Sequence, residues 1–275
     1  MKKSNLTKFL WGSISLTALF GVYIFIEPFL VQVKEVDIVD EDIPDSFDGA
    51  RIVFMSDIHH GPYLSRNRVK GFVKKANALK PDIIILGGDY VQGRRYIKPC
   101  FEELKNLKAP LGKFGVLGNH DHWGDADLTR RCMKDAGITL LDNRSEWIDN
   151  GAAGGRIKIG GIGDLWHEKP DIEATIHDVT EKDFVILVTH NPDYAEEIKT
   201  HKIRLVLSGH THGGQVTLFG LLAAHLPTKY GQKYRGGIVT TEYTKVIVSK
   251  GTGTIYPPVR FFCRPEIYLI RLKKY

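Results

Sequence analysis

Apolar, β-branched residues come in short blocks along this chain. Ile52-Val53-Phe54-Met55, Ile83-Ile84-Ile85-Leu86, Val185-Ile186-Leu187-Val188 and Ile203-Arg204-Leu205-Val206-Leu207 read as buried strands, and Val116-Leu117 as a shorter one. Helical spacing fills the gaps between them. Ser65 is placed to cap a helix in which Val69, Phe72, Val73, Ala76 and Leu79 recur on one face, with Pro81 as its stop. A second helix near Asp127 to Ala136 ends at Gly137, and Pro192 suits the first turn of a third, through about Lys199. Ile157 to Gly163, Lys245 to Ser249 and Ile267 to Leu272 add strands in the later half. No internal repeat interrupts this alternation. It predicts an α/β fold, a layered sandwich of two β-sheets flanked by helices. A barrel would need eight evenly spaced strand–helix units, and the glycine-rich stretch from Gly151 to Gly163 breaks that rhythm.

The first 33 residues follow a different pattern. Lys2, Lys3 and Lys8 precede an uncharged run from Phe9 to Ile26, about long enough to cross a bilayer as a helix. Val22-Tyr23-Ile24-Phe25-Ile26-Glu27-Pro28 holds no small-x-small cleavage site, which favours an uncleaved signal anchor over a removed signal peptide. Glu27, Glu35, Asp37, Asp40, Glu41 and Asp42 follow the run, so the positive-inside rule directs the N-terminus to the cytoplasm and the body outside. The expectation is a single-pass cell-membrane protein. A helix lying in the cytoplasmic interface is the alternative, where Ser13, Ser15 and Thr17 are easier to accommodate. The chain thus divides into an anchor (1–33), an acidic linker (34–49) and a catalytic domain (50–275).

Composition narrows the classes. With 275 residues and 43% hydrophobic content, the chain can bury one large core. The net charge of +6 is carried by Lys2, Lys3, Lys8, Arg271, Lys273 and Lys274 at the two ends, leaving a body near neutrality. No basic stripe interleaved with aromatics appears, so nucleic acid is not an expected partner, and no obligate protein partner is inferred. Cys100, Cys132 and Cys263 are odd in number and far apart, which argues against both a disulfide framework and a thiolate zinc site.

The chemistry sits where the strands end. Asp57-Ile58-His59, Gly88-Asp89, Gly118-Asn119-His120-Asp121, His190 and Gly209-His210-Thr211-His212 each follow one of the apolar blocks. Open α/β sheets bind ligands at the carboxyl ends of their strands, and Asp, His and Asn delivered there from five strands call for cations. Asp89 could bridge two of them. His59, His190, His210 and His212 offer neutral nitrogen suited to manganese, zinc, iron or nickel, and Asn119 adds a neutral oxygen. A water shared by two divalent or trivalent ions loses a proton near neutral pH and becomes the nucleophile, while the ions polarise the attacked centre. Any one of these motifs alone is weak, and His60, His122, His167, His177, His201 and His225 read as ordinary core or loop histidines. His120-Asp121-His122 starts a metallo-β-lactamase-like pattern, but Trp123-Gly124-Asp125 does not finish it.

Taken in order, Asp-x-His, Gly-Asp, Gly-Asn-His-Asp, His and Gly-His-x-His resemble the calcineurin-like metallophosphoesterase superfamily, from roughly Arg51 to Leu272. Gly163-Asp164-Leu165-Trp166, His190-Asn191-Pro192-Asp193, Gly209 to Gln215 and Cys263-Arg264-Pro265-Glu266 are similar to the bacterial membrane-associated phosphodiesterases that include some UDP-diacylglucosamine pyrophosphatases. The resemblance implies one metal at Asp57, His59, Asp89 and His212, and another at Asp89, Asn119, His190 and His210. It implies that His120 contacts the phosphate and protonates the leaving oxygen, with Asp121 orienting it and holding it protonated. The implied activity is hydrolysis of a phosphodiester or pyrophosphate, on a lipid-linked substrate such as UDP-diacylglucosamine. General phosphomonoesterase activity and a non-catalytic binding scaffold on the same fold are the alternatives; scaffold members generally lose ligands, whereas all seven are present here.

One stretch departs from the alternation. Val216 to Pro227, followed by Lys229, Lys233 and Arg235, comes directly after the last ligand motif. It reads either as a β-hairpin buried against the second sheet or as an apolar flap with a basic rim that receives an acyl chain or dips into the membrane.

Overall fold

The computed structural model describes residues 20–151 and 155–275. Two six-stranded sheets lie face to face. The first contains β1 (Gln32–Asp40), β2 (Arg51–Met55), β3 (Ile83–Leu86), β4 (Lys113–Gly115), β5 (Thr139–Leu140) and β14 (Glu266–Lys274), in the order β1-β14-β2-β3-β4-β5. The second contains β6 (Arg144–Asp149), β7 (Arg156–Gly161), β8 (Val185–Val188), β9 (Leu205–Ser208), β12 (Gly237–Thr240) and β13 (Lys245–Val248), in the order β12-β13-β9-β8-β7-β6. In each sheet four neighbouring strands run parallel: β2 to β5 in the first, and β13, β9, β8 and β7 in the second.

The period-two pattern of a strand explains the layers. In β3 all four residues are buried, yet Ile83 and Ile85 enter the core between the sheets while Ile84 and Leu86 face the helices. The inter-sheet core joins Ile52, Phe54 and Val116 to Ile157, Ile159, Ile186, Val188, Leu205 and Leu207. The helix Arg66–Ala78 covers the outer face of the first sheet with Val69, Phe72, Val73 and Ala76, as its spacing predicts. Each buried Val or Phe contributes about 1.5–3 kcal/mol. On the second sheet, Tyr194, Ala195 and Ile198 pack over Val185, Leu187 and Val206.

Several expectations need correction. Residues 34–49 are not a linker: β1 is an edge strand paired along its length with β14. Its acidic residues are matched by the C-terminal cations, with Arg271 donating to Asp37 and Glu35 at 2.8 Å each and Lys273 lying 2.6 Å from Asp37. Acidity there marked a paired strand edge, not a solvated connector. The helix expected at Asp127–Ala136 begins earlier, at Asn119, and is broken by extended backbone at Asp125, whose carboxylate caps the second part by accepting the Leu128 N–H at 2.9 Å. The helix after Pro192 is a short 3-10 turn, Pro192–Glu196. Ser65 occupies the N-cap position, but its hydroxyl makes no capping bond.

The hairpin of β10 (Thr217–Leu218) and β11 (Leu222–Ala223) is not buried against the second sheet; Leu218, Phe219, Leu221 and Leu222 are 54–71% exposed. Residues 20–26 are helical, and residues 9–19 of the expected span lie outside the described residues. Among the described residues no helix is long and apolar enough to cross a membrane. The turn after residues 20–26 is bound to the rest of the domain. Glu27, fully buried, accepts the backbone N–H of Phe262 (2.8 Å) and Cys263 (2.5 Å), and the Cys263 thiol donates to the His212 carbonyl at 3.3 Å.

Candidate metal centre

The parallel strands of both sheets end at one rim, and the loops that leave them converge there. β2 delivers Asp57 and His59, β3 delivers Asp89, the turn after β4 delivers Asn119, β8 delivers His190, and β9 delivers His210 and His212. All seven side chains are buried. Three groups gather within 4.8 Å: Asp57, His59 and His212; Asp89, His190 and His210; and His59, Asp89 and His120. The two sheets each contribute to the first two groups, which requires the sandwich to be assembled before either forms.

Sharp turns make this convergence possible. Asp57, His59, Asp89, His210 and His212 all adopt left-handed backbone, with φ between 51 and 69°. That region is sparsely populated by residues with a Cβ and persists where surroundings over-determine it, most often at functional sites. Two glycines permit the close packing around the carboxylates. A Cβ on Gly209 would lie 2.2 Å from Asp57 Oδ2, and one on Gly118 would lie 2.3 Å from Asp89 Oδ1.

The donor atoms face one another across short gaps. His59 Nε2 lies 2.9 Å from His212 Nε2 and 3.4 Å from Asp89 Oδ2. His212 Nε2 is 3.4 Å from Asp57 Oδ1. On the other side, His190 Nε2 lies 3.3 Å from Asp89 Oδ2, 3.2 Å from Asn119 Oδ1 and 3.2 Å from His210 Nδ1. Donors bound to one cation at about 2.0–2.2 Å sit roughly 3–3.5 Å from each other, so these spacings fit metal ligation. Asp89 is the residue common to both sides. The Nδ1 of His190 lies 2.8 Å from the Gly87 carbonyl, which sets the tautomer that aims the Nε2 lone pair into the centre.

Electrostatics agree with that fit. Burial drives His59 and His210 down to about 3 and holds His212 well below its ordinary value, so three imidazoles are neutral donors. Burial pushes Asp57 up to about 6, with the Asp89 charge adding to the rise against the opposing effect of His190. His190 itself is carried up to about 10, because Asp89 and Asp57 outweigh the opposing effect of burial. Without a cation, a proton on His190 compensates the carboxylates; a metal ion at that position would take over the role and release it. The Asp and His residues are therefore arranged to bind metal ions.

His120 is half-buried beside the centre. Its backbone N–H donates to Asp89 Oδ1 at 2.8 Å, and its ring lies 4.6 Å from the ring of His59. Burial lowers its pKa against the pull of Asp89. The Asp121 carboxylate is turned to backbone groups and makes no hydrogen bond to the His120 ring. Asp121 accepts the backbone N–H groups of Asp89 (2.8 Å) and Tyr90 (2.9 Å) on the loop that carries Asp89, and of Gly118 (2.9 Å) on its own turn, which occupies both carboxylate oxygens. The carboxylate next to the histidine in sequence points to the neighbouring strand end instead.

Two residues at the site carried no weight in the sequence reading. Arg260 is fully buried and donates to the carbonyls of Cys263 (2.9 Å), Lys250 (2.7 Å) and Gly253 (2.7 Å), tying together the loops behind His212. Trp123 stands 4.5 Å from the His120 ring and is exposed. Its place three residues after His120, on a helical turn, was the available signal. His122 and His167 stack at 4.8 Å away from the donor groups, and His60 lies 2.8 Å from the Leu64 carbonyl through Nδ1.

Known proteins are similar to this chain over most of its length. The model of the calcineurin-like phosphoesterase family matches residues 50–214. Metallophosphoesterase YkuE of Bacillus subtilis is 33% identical over 99% of both chains. A transmembrane protein with metallophosphoesterase domain of Danio rerio is 32% identical over 88% of this chain and 57% of its own length. Phosphodiesterase YaeI of Escherichia coli is 29% identical over 81% of this chain and 82% of its own.

Proposed function

The chain belongs to the calcineurin-like phosphoesterase family and is a metal-dependent phosphoric ester hydrolase, and from that premise we propose that it cleaves a phosphodiester or pyrophosphate bond at a two-cation centre. The observation that supports this most is the position of Asp89 Oδ2, 3.4 Å from His59 Nε2 of the first sheet and 3.3 Å from His190 Nε2 of the second. One cation takes Asp57, His59, Asp89 and His212; the other takes Asp89, Asn119, His190 and His210. Bound there, two ions supply a nucleophile at neutral pH and a positive field for the phosphate. His120 contacts the phosphate from the exposed side and places its ring at the leaving oxygen. Asp121 holds the Asp89 loop in register with the Asn119 turn.

The finer reading is a substrate presented at a membrane. Phe25, Ile26 and Phe29 are exposed at the end of the first described helix, and Phe219 of the hairpin packs on Phe262 at 5.3 Å. Phe20 and Tyr23 pack on Phe261, the residue before Phe262, so the helix and hairpin form one apolar surface. That surface suits lipid contact, with the body on the extracytoplasmic side and the hairpin receiving the acyl part of a lipid-linked pyrophosphate such as UDP-diacylglucosamine. Replacing Phe219 and Leu222 with Ser then raises KM for the lipid-linked substrate and spares a small soluble diester, at about 0.8 kcal/mol per methylene no longer buried.

The test is hydrolysis by manganese-loaded, full-length protein of a panel comprising monoesters, diesters and nucleotide-linked lipids. Preference for diesters or pyrophosphates supports the reading. Preference for monoesters replaces it with a general phosphatase, and inactivity on all three with a binding scaffold.

A further inference from the structure

Two exposed tryptophans face each other on the rim of the metal centre. Trp123 belongs to the helix Asn119–Asp135 that follows the first sheet, and Trp166 to the loop after β7 of the second. Their ring centroids are 6.2 Å apart and their planes 29° from parallel. Each ring also touches the centre: Trp123 lies 4.5 Å from His120, and Trp166 lies 4.8 Å from His210. The pair therefore lines one side of the centre, from His120 beside it to His210 within it.

This wall is built rather than incidental. Asp164, almost wholly buried, accepts the Trp166 backbone N–H at 3.1 Å and pairs with His167 Nδ1 at 2.6 Å. The His167 ring backs Trp123 edge-on at 6.1 Å. Single exposed aromatics are ordinary on protein surfaces. Two from different sheets, one anchored through its backbone by a buried carboxylate and each seated on a different histidine, present flat π faces to whatever is attached to a phosphate held at the centre. The rings are already within aromatic contact range, so a guest stacks on their outer faces rather than between them.

We propose that Trp123 and Trp166 form a stacking wall that selects substrates whose phosphate carries a nucleobase. This deepens the proposed phosphodiester or pyrophosphate reaction and rests on the phosphate lying at the metal centre. A flat heteroaromatic ring matches the flat face of an indole, whereas the exposed Leu218, Phe219, Leu221 and Leu222 of the hairpin suit a chain. Base–aromatic stacking tolerates different bases, so the wall distinguishes nucleotides from other phosphate esters and not one base from another.

The test compares ligands that differ only by the base. Adenosine 5′-monophosphate and uridine 5′-monophosphate are titrated calorimetrically into manganese-loaded full-length protein beside ribose 5-phosphate. The expected result is binding of both nucleotides about 10-fold or more tighter than the sugar phosphate. In the double variant Trp123→Ala/Trp166→Ala that ratio falls to about one, and in Trp123→Phe/Trp166→Phe most of it returns, because a flat ring remains at both positions. Equal affinity for nucleotide and sugar phosphate in the parent, a ratio unchanged in the alanine variant, or no measurable nucleotide binding each overturns the wall. Manganese-dependent hydrolysis of bis(p-nitrophenyl) phosphate is measured on the same preparations. Its absence from the parent counts against the phosphodiesterase reading, while its presence with an unselective ratio counts against the wall alone.

Discussion

Asp121 and Asp89 are clasped across two strand ends: the Asp121 carboxylate accepts the Asp89 backbone N–H at 2.8 Å, while the Asp89 carboxylate accepts the backbone N–H of His120, the residue before Asp121, at 2.8 Å. Each loop thus fixes the other. Asp121→Asn puts an amide donor against one of three buried N–H groups, a loss of about 1–3 kcal/mol of stability. Metal affinity is expected to fall roughly 10–100-fold, as for other groups that orient ligands from behind. Competition with a chelator measures it. A variant with parental metal affinity and an altered pH profile would instead restore Asp121 to the role of orienting His120.

His120 carries a different expectation. It lies beside the donor groups on the exposed side, so His120→Ala should lower turnover by roughly 10²–10⁴ with metal content intact. The loss should shrink for nitrophenyl esters, whose leaving oxygen needs little protonation. Equal loss for good and poor leaving groups would assign His120 to phosphate binding alone.

Stability against pH reports on Asp142, which supports the turn into Asn119 by accepting the Leu117 N–H at 3.0 Å. Its other oxygen is buried without a hydrogen-bond partner. Burial raises its pKa from 3.8 to about 7, more than the Leu117 N–H and Arg130 offset. A carboxyl raised in the folded state contributes stability that is complete below its unfolded value and is lost as pH climbs through the folded one. The contribution should therefore decline between about pH 4 and pH 7, by at most about 4 kcal/mol. Asp142→Asn keeps an acceptor for Leu117 and removes the titration. Denaturant unfolding should show a flatter stability profile across that window, with the variant the more stable above pH 7. A slope identical to the parent's would contradict this.

The strand blocks announced the sandwich because burial on both faces leaves a nearly continuous apolar run, as in Ile83–Leu86. The candidate donors were legible for the same reason: each stands shortly after such a run. What the chain order hid was direction. Asp121 follows His120 but bonds the Asp89 loop, since the left-handed turn at Asp89 brings the N–H groups of Asp89 and Tyr90 to it. Glu35 and Asp37 looked like a solvated connector because their partners, Arg271 and Lys273, lie more than two hundred residues away on β14. The Trp123–Trp166 pair was invisible because it joins the two sheets and has no local spacing to betray it.

The shared carboxylate is the centre of this account, and metal stoichiometry tests it most directly. Elemental analysis of the active, full-length protein should give about two ions per chain. Asp89→Asn, which removes the shared charge while keeping the shape, should bind fewer ions and lose activity. One ion or fewer per chain at full parental activity, or a fully active Asp89→Asn variant, would contradict it.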